Sequence, residues 1–141
     1  MRPARRVASA CLLLVPVFCG CGGKHDTHRV TGKVALTDGT PLADVRVTFE
    51  SQEAAISATA VTDEDGTYRL GTVKEGDGAP AGAYRVAVVE LPGDDPDHPS
   101  PPRIHRKYGS FKTSGLKFTV ERGRNSYDIE LNSPDSRGTP D

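Results

Sequence analysis

Cysteine is scarce and confined to one end: three of 141 residues are Cys, at positions 11, 19 and 21, and none follows. A domain built from the remaining residues has no disulfide and must be held by core packing alone. Tryptophan is absent and aromatics make up 6%, which counts against a carbohydrate platform of stacked indole rings. No helical periodicity runs through the chain, and no apolar run reaches the roughly 20 residues that a membrane-spanning helix needs. Nor is there an excess of basic residues, since 18 Lys and Arg face 19 Asp and Glu. That balance argues against nucleic acid as a partner, since nucleic acid wants a basic face. No Ser-His-Asp set and no His-Glu-x-x-His spacing occurs, which argues against the common hydrolase and zinc-protease chemistries.

What is present begins with Arg2, Arg5 and Arg6, followed by an apolar stretch over 7–18 broken only by Ser9 and Pro16, and then by small residues. A basic start, a short apolar core and a small-residue end are the layout of a secretory signal peptide, here expected over 1–20. The segment Phe18-Cys19-Gly20-Cys21 resembles the lipobox of bacterial lipoproteins, with Phe18 in the place of Leu and Cys19 where Ala or Ser is usual. The resemblance implies a diacylglycerol on the Cys21 thiol through a thioether, and cleavage before Cys21 that frees an amine for further acylation. Several chains together anchor stably, because each buried CH₂ contributes about 0.8 kcal/mol and a single chain holds only marginally. Loss of 1–20 removes three arginines and no acid, so the mature chain carries a net charge of −4. Residues 21–27 then read as a lipidated tether.

From residue 28 to 132 the chain alternates apolar and polar residues between turn signals, the pattern of half-buried strands. Val30, Gly32, Val34 and Leu36 share one side, then Val45, Val47 and Phe49 against Arg46, Thr48 and Glu50. A lighter strand at 56–62 follows, then Tyr68 and Leu70, then Tyr84, Val86 and Val88, then Leu116, Phe118 and Val120, and last Tyr127, Ile129 and Leu131. Asp38-Gly39 with Pro41, Asp65-Gly66, and 123–125 supply the turns. Seven such strands predict an all-β fold, a seven-stranded antiparallel Ig-like β-sandwich after the signal peptide. A closed barrel is the second choice. Residues 133–141 read as a disordered tail.

The order of these pieces resembles the carboxypeptidase regulatory-like domain: Val30-Thr-Gly-Lys-Val, then 39–47, then Thr62-Asp-Glu-Asp-Gly-Thr-Tyr, then Ala81-Gly-Ala-Tyr-Arg-Val-Ala-Val. The stretch 107–120 followed by 125–131 looks like the end of small bacterial lipoproteins built on it. The resemblance covers 28–132 and implies a transthyretin-like (prealbumin-like) sandwich. Beneath it, Gly39, Asp63, Gly66, Tyr68, Gly82 and Tyr84 read as fold-making residues. Gly66 supplies the positive φ of a tight hairpin and Tyr68 returns a ring to the core.

Function is read as non-catalytic. Two sandwich relatives do have chemistry, the transthyretin-like hydroxyisourate hydrolases and the iron-dependent intradiol dioxygenases. The first resemblance rests on His28 before the first strand but lacks the terminal Tyr-Arg-Gly-Ser. The second would need two Tyr and two His, whereas His98, His105 and Tyr108 share one loop without a second Tyr at matching spacing. No cofactor is expected. Asp63, Glu64 and Asp65 are weak candidates for calcium, which takes six to eight oxygens, with Asp38 or Asp77 as added ligands if their loops meet; a solvated hairpin tip is the plainer reading. The strand pattern lapses over 91–115, a length that is usually functional or disordered. It is read as a strap crossing between the sheets, pinned by Ile104, Tyr108 and Phe111. As a binding surface it would offer Arg103, His105, Arg106, Lys107 and Tyr108 to an acidic glycan or protein. The expected whole is an exported lipoprotein of the cell envelope, facing the periplasm or exterior, anchored to a membrane by its lipid and acting as an interaction or adhesion module toward an envelope protein or glycan. The alternative is a calcium- or carbohydrate-binding module.

Overall fold

The computed structural model describes residues 26–93 and 95–134. The signal peptide, Cys21, most of the tether and residues 135–141 lie outside the described residues. Nine strand segments form two sheets: β1 (Thr27–Leu36), β2 (Val45–Ser51), β3 (Ser57–Val61), β4 (Thr67–Arg69), β5 (Ala79–Pro80), β6 (Gly82–Glu90), β7 (Leu116–Val120), β8 (Arg124–Ser126) and β9 (Ile129–Leu131). One 3-10 turn, Arg106–Gly109, interrupts the β6–β7 connection.

The sheet of β3-β2-β6-β7 is antiparallel throughout. Its alternation is that of a sheet with one dry face: Val45, Val47 and Phe49 of β2 and Tyr84, Val86 and Val88 of β6 are buried, while Arg46 and Val89 are exposed. The second sheet is organised by β1. Thr31 is paired with Arg69 of β4 and with Ser126 of β8, so these strands flank β1 on opposite edges. β5 continues the β4 edge at Thr27 and His28, and β9 continues the β8 edge from Val34 to Leu36. Apolar faces of both sheets close on one core. The molecule is a β-sandwich, joined along one edge by a lone bridge, Thr59 to Gly71.

Two expectations are corrected. The sandwich is not wholly antiparallel, because β8 and β9 run parallel to β1. And the strand read over 125–131 is two segments, broken at Tyr127 and Asp128. The break has a physical cause. Gly32 lies on the inner side of β1, where a Cβ would fall 1.9 Å from the Tyr127 carbonyl oxygen and 2.8 Å from the Tyr68 ring. Tyr68, opposite Gly32 in register, fills the space of the missing side chain and donates its hydroxyl to that carbonyl at 2.6 Å. Asp128 turns the other way and accepts the Lys33 N–H at 2.9 Å.

The centre of the core is aromatic. Phe49 lies 6.0 Å from Tyr84 and from Phe118 and 6.1 Å from Tyr127, and Phe118 stacks on Tyr127 at 4.5 Å. Tyr127 thus joins the sheet of β1 to the sheet of β3-β2-β6-β7; each such pair contributes about 0.5–1.5 kcal/mol beyond area burial. At the sandwich end, buried Thr62 accepts the Val45 N–H at 3.1 Å and donates to the Leu42 carbonyl at 2.6 Å. It locks the exit of β3 to the entry of β2, where backbone groups would otherwise be buried unpaired.

Candidate functional site

The hairpin tip at 63–66 is a hydrogen-bonded turn, Gly66 N–H to Asp63 carbonyl at 2.9 Å. Gly66 has φ +76°, and a Cβ there would come within 2.6 Å of the Val34 carbonyl oxygen. One Asp63 oxygen accepts the N–H groups of Asp65 and Thr67; the other accepts the Thr67 hydroxyl. These bonds, the Thr67 hydroxyl first, hold its carboxyl below the usual range. Asp38 caps its own turn through the Thr40 N–H at 2.9 Å. Asp77 sits toward the opposite end of β1, in a loop whose Gly78 lies against His28. It accepts the N–H groups of Thr72, Val73 and Lys74. Asp77 therefore lies apart from Asp63, Glu64 and Asp65, and Asp38 is engaged in its own turn. Among the described residues no three of His, Cys, Asp and Glu converge as a metal site.

The 91–115 connection joins β6 and β7, which are neighbours in one sheet. It is therefore a long hairpin excursion, which corrects the crossover expected from its length. Its pins are as expected for two residues: Ile104 and Tyr108 are buried, and Phe111 is half-buried. The five basic and aromatic candidates mostly serve the fold. Arg103 donates Nε to Glu90 at 2.7 Å and Nη2 to the Ala43 carbonyl at 2.8 Å, while its N–H also meets the Glu90 carboxylate. His105 caps the 3-10 turn, with Nδ1 accepting the Lys107 N–H. Its own N–H donates to Asn132, whose N–H returns to the Tyr108 hydroxyl at 3.1 Å. The loop is thereby tied to the end of β9 and links the two sheets after all, by hydrogen bonds. Arg106 and Lys107 are left exposed, with Lys107 Nζ 5.0 Å from the Tyr108 ring centre.

The histidines are separate. His28 Nδ1 accepts the Gly123 N–H at 3.2 Å, and exposed His98 lies 2.9 Å from Asp95. The Tyr108 hydroxyl faces the end of β9. No iron-binding set of two Tyr and two His assembles among the described residues.

The side chains that sequence reasoning passed over lie at the seam between the sheets. A groove of about 990 Å³ opens there, lined in part by Lys33 of β1, Arg46 of β2, Arg69 of β4 and Lys74 of the following turn. All four are exposed, and among the described residues none has a carboxylate within 4.0 Å. Register aligns them: Arg69 is opposite Thr31, and Arg46 lies between Val61 and Val89 on the outer face. Asp63, Glu75 and Asp128 also border the groove, as do exposed Val61 and Val73. The available signal was the outward place of Arg46 in its strand. Nothing local joins it to Lys33 or Arg69, because three strands distant in sequence carry them.

No family model and no curated protein matches the chain. Among solved structures it is similar to a DUF3823 family protein from Parabacteroides merdae, at 15% identity over 75% of this chain and 46% of that one, with a TM-score of 0.44. A DUF3823 family protein from Bacteroides ovatus is similar at 18% identity, 75% and 45% coverage and a TM-score of 0.44. Catechol 1,2-dioxygenase from Acinetobacter sp. matches at 15% identity over 86% of this chain and 58% of that one, with a TM-score of 0.38. The chain spans less than half the length of the two DUF3823 proteins. Likenesses at this level transfer no activity, substrate or partner.

Proposed function

We propose that this protein is an exported, lipid-anchored β-sandwich that performs no chemistry of its own and acts as an interaction module of the cell envelope. The finer fold assignment, a carboxypeptidase regulatory-like domain of transthyretin-like type, belongs to the same proposal and rests on the motif order over 28–132. The observation that carries the reading is the division of labour among polar side chains. Those of the loops, Asp38, Asp63, Asp77, Arg103 and His105, are engaged in holding turns and connections. Three exposed cations, Lys33, Arg46 and Arg69, stand instead on strands around the seam groove, and among the described residues none has a carboxylate within 4.0 Å. Groups fixed on strands and open to solvent suit recognition of another molecule. Anchoring would come from Cys21, whose acyl chains place the module at a lipid surface.

Two measurements test this together. Mass spectrometry of the protein from its native envelope is expected to find a lipid-bearing N-terminal Cys21. Crosslinking in that envelope is expected to join the sandwich to other envelope components. An unmodified Cys21 thiol, or a native N-terminus at Met1, overturns the anchor. Turnover of a substrate at the seam overturns the non-catalytic assignment.

A further inference from the structure

We infer that the seam groove docks an acidic, extended polypeptide segment of a partner protein. The inference rests on the interaction-module reading and names the chemistry of the partner.

Charge comes first. Lys33, Arg46, Arg69 and Lys74 reach the groove from three strands and a turn, and among the described residues none has a carboxylate within 4.0 Å; at longer range Arg69 favours ionised Asp63 and Lys74 favours ionised Asp77. An incoming carboxylate therefore displaces no close ion pair among the described residues. Arginine adds a planar fork that matches a carboxylate with two parallel hydrogen bonds. Of the three carboxylates at the rim, Asp63 and Asp128 keep accepting oxygens on backbone N–H groups of the fold. Glu75 alone makes no hydrogen bond among the described residues, and it borders the groove beside Lys74.

Apolar contact comes second, and it separates a polypeptide from an acidic polysaccharide. Val73 is 81% exposed and Val61 48% exposed, and both line the groove. They are set among the cations, as an interface requires if its occupant alternates charged and aliphatic side chains. A sugar ring finds no flat face there, since the lining's one aromatic residue, Tyr68, is 2% exposed. An extended chain presents one face every second residue, about 6.7 Å apart. Acidic side chains on one face can then meet successive cations.

The test uses the full lipidated protein in vesicles of uncharged phosphatidylcholine. Three fluorescent probes are titrated by anisotropy: a peptide of alternating Glu and Val, a peptide of alternating Lys and Val, and an oligogalacturonate. The Glu–Val peptide is expected to bind saturably and the Lys–Val peptide not to bind. Raising salt from about 50 to about 300 mM is expected to weaken binding by about tenfold, as charge screening demands. The double variant R46E/R69E should lose at least about tenfold in affinity with an unchanged melting curve, and R46K/R69K should retain most of it. R106E/K107E, on the 3-10 turn away from the seam, should bind as the parent does. Absence of saturable Glu–Val binding overturns the inference, as does binding that survives R46E/R69E. Binding of oligogalacturonate without the peptide overturns it in favour of an acidic glycan and leaves the interaction-module reading standing. That reading fails separately if photocrosslinkers at Val73 and at Lys107 capture no envelope component in intact cells.

Discussion

Tyr68 and Gly32 act as one unit. A ring over a glycine, with its hydroxyl on the Tyr127 carbonyl, ties β4, β1 and the β8–β9 break together. Burial, then the neighbouring Tyr127 and Asp128, push the Tyr68 hydroxyl well above the ordinary phenol range, so it stays a donor. Tyr68→Phe is expected to destabilise by about 1–3 kcal/mol, because a part-buried carbonyl loses its partner; denaturant unfolding at fixed m-value measures it. The turn carboxylates set the acid limit. At Asp63 the Thr67 hydroxyl, and at Asp38 the Thr40 N–H, lower the pKa from the ordinary 3.8. At Asp77 burial opposes ionisation, but the N–H groups of Thr72, Lys74 and Val73 outweigh it, and the net shift is again downward. A carboxyl whose pKa is lower folded than unfolded adds stability that is complete above the unfolded value. That stability is lost as pH falls through the folded value. The melting temperature should therefore show no loss from these groups between about pH 5 and 7 and should fall below about pH 4; in D63N/D77N that acid-limb fall should be shallower.

At the scale of elements, the long β6–β7 connection behaves as structure. Glu90 at the end of β6 holds Arg103, and Arg103 reaches Ala43 before β2. Arg103→Ala is expected to leave global stability within about 1 kcal/mol, because the ion pair is part-exposed. It should speed proteolytic cleavage within 95–103 severalfold, since the loop loses its clamp; limited proteolysis at native temperature reads this. The connection was legible as an exception to the strand pattern, but not as a hairpin excursion. Length and proline content say that a segment is not a strand; they do not say which strands it joins. The same limit applies to β8 and β9. The apolar residues of β9, Ile129 and Leu131, were readable as core, whereas the parallel course of β8 and β9 beside β1 depends on pairing across about a hundred residues, for which the local pattern carries no signal.

Across the whole molecule, the proposed anchor and the proposed docking groove differ in origin. The proposed anchor is read from consecutive residues up to Cys21. Cys21→Ser is expected to move the protein from the membrane fraction to the soluble fraction with its melting curve unchanged, since the sandwich described from residue 26 onward does not use that thiol; fractionation and immunoblotting check it. The groove exists only after folding. Lys33, Arg46 and Arg69 are ordinary outward residues of alternating strands, and they become neighbours because β4 flanks β1 while β3 flanks β2 and bridges, at Thr59, to Gly71 just after β4.

Alternation alone determined which residues of each strand turn inward: a strand places successive side chains on opposite faces, so Val45, Val47 and Phe49 declare the dry side of β2 without reference to anything else. Turn chemistry at Asp63-Gly66 was equally local. Only the tertiary structure decided the partners of β1, the break at Tyr127–Asp128 and the gathering of four unpaired cations at one seam. Backbone pairing between strands is made by N–H and C=O groups that every residue carries, so the choice of neighbour comes from closing the whole core and not from any one segment.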